Sequence, residues 1–160
     1  MATFEKSIQI EATPEEVWEC LTHPNWIQKW WTALREYHYT SEQHSGVGMT
    51  FAVEEKIGMG PLLKIKFEAT RWMKPEQIML KMVSGTGAKS YEISWTLEPV
   101  EGGTSFNYLE RLTLSDGLMD RLWGRLGRRS GMGHIDGYLH NLKTLAESRA
   151  AEAAQREASI

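Results

Sequence analysis

The chain has 160 residues, a formal net charge of −3, and ordinary apolar (41%) and charged (24%) shares. That length fits one domain with a real core, and the composition argues against disorder. No basic stripe of the kind nucleic-acid binders use stands out, apart from Arg125, Arg128 and Arg129, which fit a solvated helix face. No run of about 18 apolar residues is present, so no membrane span is expected, and no secretory signal is visible at the start. The single cysteine, Cys20, excludes an intrachain disulfide and fits a reducing, cytoplasmic setting.

Ile8-Gln9-Ile10-Glu11-Ala12 alternates as a strand does. Thr13 follows as a helix N-cap candidate, with Pro14 at the first helical position and Glu16 at capping-box spacing. Val17, Trp18 and Leu21 give that helix one apolar face, and His23-Pro24 ends it. Asn25 to Trp31 opens a second short helix rich in indole.

Strands are then expected at Arg35–Thr40, Met49–Lys56 and Leu62–Met73. In the third, Leu63, Ile65, Phe67, Ala69 and Arg71 share a face opposite Lys64, Lys66, Glu68 and Thr70, a sheet wet on one side. Ile78–Val83 is the next strand, and Ser84 to Lys89 is expected as a flexible connection. Tyr91, Ile93, Trp95 and Leu97 share a face of the following strand. After a hairpin at Glu101-Gly102-Gly103, Phe106, Tyr108, Glu110, Leu112 and Leu114 share a face of the last. From Ser115-Asp116 the period becomes helical, with Leu118, Met119, Leu122 and Trp123 on one stripe and Ile135, Leu139, Leu142 and Leu145 on another. Gly127, Gly131, Gly133 and Gly137 interrupt it, each costing ~1 kcal/mol relative to alanine unless a kink or close approach needs it. Residues 1–148 form a single domain on this reading, and 149–160 a fraying helical or disordered tail.

Strand, two short helices, six strands and a long closing helix is the helix-grip order. The chain here resembles the START/Bet v 1-like (SRPBCC) superfamily, in its polyketide cyclase/dehydrase and lipid-transport-like branch. The resemblance rests on Ile10 to Trp18, on His23-Pro24-Asn25-Trp26 with Trp30-Trp31, and on Gly48 to Phe51. Gly103 to Phe106 and the closing Leu142 to Glu147 complete it. It implies an α+β fold, a curved seven-stranded antiparallel sheet around the C-terminal helix, with a cavity between them for an apolar or aromatic ligand.

Seven Trp and eight Met beside four Phe suit such a cavity wall, or an adaptable core. Strand parity puts Phe51, Phe67, Tyr91, Trp95, Phe106 and Tyr108 on the concave side, with Met119 and Trp123 from the helix, as ligand-binding candidates. Plain core packing competes for each of them. Arg71 and Glu110 are charges on otherwise inward faces. They pair with each other, meet a polar ligand group, or reach water near strand ends. A buried Glu110 would have a raised pKa and serve as general acid or base. His134 is the third catalytic candidate, against the simpler reading of a solvated or satisfied histidine. His38 and His44 lie on or near the Arg35–Thr40 strand, His23 and His140 fit turn and surface, no metal-ligand spacing is present, and neither a metal nor a cofactor is expected.

These residues favour binding of a hydrophobic or aromatic small molecule, as a carrier or sensor. The first alternative is a cyclase/dehydratase-like enzyme with an inward acid or base. The second is a co-chaperone-like interaction protein, which calls for an exposed apolar patch and a solid interior. A homodimer stays open.

Overall fold

The computed structural model describes residues 1–115, 117 and 127–159, the last segment with its side chains from 133 onward. Thr13 caps α1 (Pro14–Thr22) with the reciprocal bonds of a capping box, Glu16 N–H to Thr13 Oγ1 at 3.2 Å and Thr13 N–H to Glu16 Oε1 at 2.9 Å. His23 ends α1 and, through Nδ1, accepts from Asn25 N–H to start α2 (Pro24–Trp30). The strands are β1 (Ala2–Ile10), β2 (Leu34–Tyr39), β3 (Thr50–Lys56), β4 (Leu62–Met73), β5 (Gln77–Thr86), β6 (Ala88–Val100) and β7 (Gly103–Leu114). They form one antiparallel seven-stranded sheet in the order β1-β7-β6-β5-β4-β3-β2. The closing helix α3 (Gly127–Ala158) packs against β1, α1 and α2.

The concave face carries the core because inward residues alternate with wet ones along each strand. Phe51, Val53, Leu63, Ile65, Phe67, Tyr91, Ile93, Trp95, Phe106 and Tyr108 are all buried there. Ile135, Leu139 and Leu142 bring the apolar stripe of α3 to meet them.

Three sequence expectations need correction or placing. Ser84–Lys89 is no flexible connection: β5 runs through Thr86 and β6 starts at Ala88. The glycines allow it, since a Cβ at Gly85 would fall 2.3 Å from the Lys64 carbonyl oxygen, so only a bare backbone can lie that close to β4. Arg71 is exposed rather than inward. Opposite β5, Ala69 pairs with Leu80 but Arg71 with Met79, so Thr70 is an extra residue that reverses the alternation. Trp72 turns toward the core in its place and meets Trp18 edge-on at 5.4 Å. Met119 and Trp123 lie outside the described residues, as does the expected helix start at 115–126 apart from its first residue and Gly117.

Candidate functional site

Four elements deliver polar side chains to one buried point under α3. Glu55 comes from β3 by the same parity that buries Phe51 and Val53. Tyr91 comes from β6, and Tyr108 and Glu110 from β7. His134 and Tyr138 are four residues apart on α3, hence on one side of it. Both glutamates are fully buried, at 0% exposure. Burial of charge on this scale is tolerated only with partners.

The partners form a continuous chain. His134 Nε2 lies 3.1 Å from Glu110 Oε2. Tyr108 donates to Glu110 Oε1 at 3.0 Å. The Tyr91 hydroxyl sits 3.0 Å from Glu110 Oε1 and 3.1 Å from both oxygens of Glu55. Tyr138 donates to Glu55 Oε1 at 3.4 Å. Tyr91 has one hydroxyl hydrogen and contacts two carboxyl groups, so it can satisfy both only if one carboxyl is protonated and donates back to it. Glu55 is the better holder of that proton. Burial, and after it the nearby Glu110 charge, push its pKa up to about 8, against Tyr91, the Trp31 indole and Tyr138, which pull it down. The same burial raises Tyr91, Tyr108 and Tyr138 far above the ordinary phenol value, which keeps all three as donors.

Among the described residues, three buried nitrogens near this core make no hydrogen bond of normal geometry: His134 Nδ1, Trp31 Nε1 and Trp95 Nε1. The two indoles belong to an aromatic cluster. Trp95 meets Trp30 at 5.2 Å and Trp31 at 6.0 Å, and Trp31 meets Phe67 at 6.2 Å. The α2 tryptophans thus occupy the space in front of Phe67 and Trp95. A void of only about 10 Å³ remains beside Phe51 and Trp95, less than one water molecule needs with comfort.

Open space lies at a surface cleft beside the polar cluster. A pocket of about 320 Å³ is walled by Thr32 and Ala33 after α2, by Lys56, Ile57 and Gly58 after β3, and by Gly133, His134, Gly137 and Tyr138 of α3. That volume falls at the lower end of small-molecule sites. A Cβ at Gly133 or Gly137 would meet nothing within 4 Å, so these glycines leave bare helix facing free space.

Of the catalytic candidates, Glu110 and His134 come together and Arg71 stays apart on the surface. Of the aromatic candidates, Tyr91 and Tyr108 join the polar chain, while Phe51, Phe67, Trp95 and Phe106 are buried in the packed core. Glu55, Tyr138 and Trp31 were not singled out from sequence. Their signals were there: Glu55 continues the Phe51-Val53 parity, and Tyr138 falls between Ile135 and Leu142 at helical spacing. Cys20 is buried, with its thiol pKa raised by desolvation, so it packs rather than reacts.

A family profile described as polyketide cyclase/dehydrase and lipid transport matches residues 1–147. The chain belongs to that family. An uncharacterized protein of Mycobacterium tuberculosis is 22% identical to it over 147 residues, covering 92% of this chain and 98% of that one. Among solved structures, TTHA0849 from Thermus thermophilus superposes with a TM-score of 0.77 at 15% identity, over 93% of this chain and 99% of that one. StfQ, the di-domain aromatase/cyclase of the steffimycin biosynthetic pathway, superposes at 0.70 and 15% identity, over 93% of this chain and 52% of that one. At these identities the likeness establishes the helix-grip fold and leaves the chemistry to the site.

Proposed function

We propose that this protein binds a small hydrophobic or aromatic molecule carrying one hydrogen-bonding group, in the pocket between α3 and the ends of α2 and β3. The observation that carries the reading is the placement of His134 and Tyr138. Both wall the 320 Å³ pocket, and both are bonded to the buried glutamates behind it. The apolar body of a ligand would lie along Ala33, Ile57 and the bare α3 backbone at Gly133 and Gly137. Its polar group would meet the histidine or the phenol. Membership of a family described by polyketide cyclisation and lipid transport supports a ligand of this type. A buried acid pair costs stability and adds nothing to a purely structural core, which also favours a site.

Titration with 2-naphthol, followed by tryptophan fluorescence and by native mass spectrometry, tests the reading. A saturable 1:1 complex is expected, because Trp30 and Trp31 lie immediately behind Thr32 and Ala33 of the pocket wall. Absence of any complex at millimolar 2-naphthol, with no co-purified small molecule in the native spectrum, would count decisively against it.

A further inference from the structure

We infer that the open edge of β2 pairs with the β2 edge of a second copy of this chain, two-fold about Tyr37, so that two sheets run on as one. This dimer is independent of the binding reading above.

The two ends of the sheet differ. β1 is closed by α3. Lys143 Nζ donates to the Gln9 carbonyl at 3.0 Å, and Glu147 Oε2 accepts from Glu11 N–H at 2.8 Å. Lys6 of the same strand pairs with Asp136. At the other end β2 pairs with β3 alone. Thr40 N–H bonds to the Thr50 carbonyl, and the register continues with His38 opposite Ala52 and Glu36 opposite Glu54. Antiparallel ladders alternate, so Thr40, His38 and Glu36 carry the bonds to β3, while Tyr37 and Tyr39 turn their N–H and C=O groups outward. Among the described residues, no backbone group bonds to these. A bare strand edge is a template for another strand unless charge, proline or a cover blunts it. β2 has neither proline nor lysine, and its bulge at Arg35 limits the open stretch to Glu36–Tyr39.

This stretch is set in shape before a partner arrives. Tyr37 packs on Phe51 at 5.0 Å, and His44 stacks flat on Tyr39 at 3.9 Å. Little order remains to be lost on pairing. The exposed side chains then choose the occupant and the register. Glu36 and His38 are both exposed, and neither has an ion pair or hydrogen bond among the described residues. Two antiparallel copies centred on Tyr37 set Glu36 opposite the partner's His38, and His38 opposite the partner's Glu36. A carboxylate there faces an imidazole that can donate to it, twice for one axis. These are non-hydrogen-bonded pairs, whose side chains lie closest. Centring on His38 instead would set imidazole against imidazole and lose both matches. A patch complementary to itself is what a two-fold interface requires. The same register carries the partner's Thr40 and Ser41 toward Leu34 and Ala33, beside the pocket wall. So short a contact belongs to weak, concentration-dependent association.

Sedimentation equilibrium of the full chain, from micromolar to millimolar, should show monomer and dimer in exchange. Glu36→Lys opposes like charges at both pairs and should weaken the dimer about tenfold. Combining Glu36→Lys with His38→Glu reverses each pair and should restore it. Both positions are exposed, so the fold should hold. A second measurement reads the register. Glu36→Cys and His38→Cys, mixed in equal amounts under mild oxidation, should form the mixed disulfide in preference to either self-linked dimer. The Cα atoms of such a pair lie about 4.5 Å apart, within disulfide reach. Cys20 is buried and takes no part. A chain that stays monomeric at millimolar concentration overturns the inference. So does a dimer indifferent to Glu36→Lys, or one with no preference for the mixed disulfide, since it would use another surface. Each of these results leaves the binding reading untouched.

Discussion

The buried Glu55 carboxyl makes the sharpest demand on the molecule. Its pKa rises from the usual 4.5 to about 8. The unfolded chain gives up this proton near 4.5 and the folded chain only near 8, so between those values the folded state binds more protons. Stability contributed by this group is therefore whole below about pH 4.5, falls as pH rises to about 8, and stays low above it. Urea unfolding should show wild type losing on the order of a few kcal/mol between about pH 5 and about pH 8.5. Glu55→Gln keeps the shape and removes the titration, and its curve should be nearly flat over that interval. A wild-type loss equal to that of Glu55→Gln would show the carboxyl ionised throughout. Glu55 was readable by parity but hidden by its neighbours: Glu54 and Lys56 are exposed or partly so, and a charged run at a strand end looks like a wet edge. Arg71 was misread for the opposite reason. Parity assumed an unbroken strand, and the extra residue at Thr70 is a matter of pairing with β5 that local pattern does not encode.

At the scale of elements, strand pattern was most legible where one face is buried and the other wet. In β6 and β7 every expected inward residue is buried, from Tyr91 to Leu97 and from Phe106 to Leu114. The β5–β6 tip was not legible, because two glycines that suggest a loop instead let β5 lie hard against β4. In sequence the α3 glycines mark a kink or a close approach; at two of them the structure shows open space instead. Gly133 and Gly137 form part of the pocket wall, where a side chain would occupy its open space. Gly137→Ala should raise stability by about 0.5–1 kcal/mol, since the added methyl meets no neighbour and alanine favours the helix. It should also weaken 2-naphthol binding severalfold. Tighter helix with unchanged affinity would mean that the ligand lies elsewhere. Thr13→Ala at the α1 capping box, by contrast, should cost about 1 kcal/mol in urea unfolding and leave the site alone.

For the whole molecule, element order alone reached the helix grip, because seven strands and one long helix with an apolar stripe at Ile135, Leu139 and Leu142 have few ways to bury their apolar faces together. What pattern does not reach is how fully the grip closes. That depends on α2, whose Trp30 and Trp31 fill the middle of the interior, while a pocket among the described residues borders the His134 end. The same helix is held from outside by the far part of α3. Beyond the family profile, which ends at residue 147, α3 continues to Ala158. There Arg149 lies over the Trp26 ring at 4.3 Å and its Nη1 reaches Cys20 Sγ at 3.9 Å, so one side chain touches both α2 and α1. Lys29 shares the same ring at 4.8 Å. A guanidinium on an indole face is worth about 0.5–2 kcal/mol, more as water is excluded. Arg149→Ala should therefore lower stability by about 1 kcal/mol in urea, while Arg149→Lys recovers only part of it, because the planar fork that stacks on the ring is lost. Because α2 carries Trp30 on its inner side, the loosened helix should also shift tryptophan emission to the red in the native state. Native emission and midpoint both unchanged in Arg149→Ala would show that the helix beyond residue 147 runs alongside α2 without holding it.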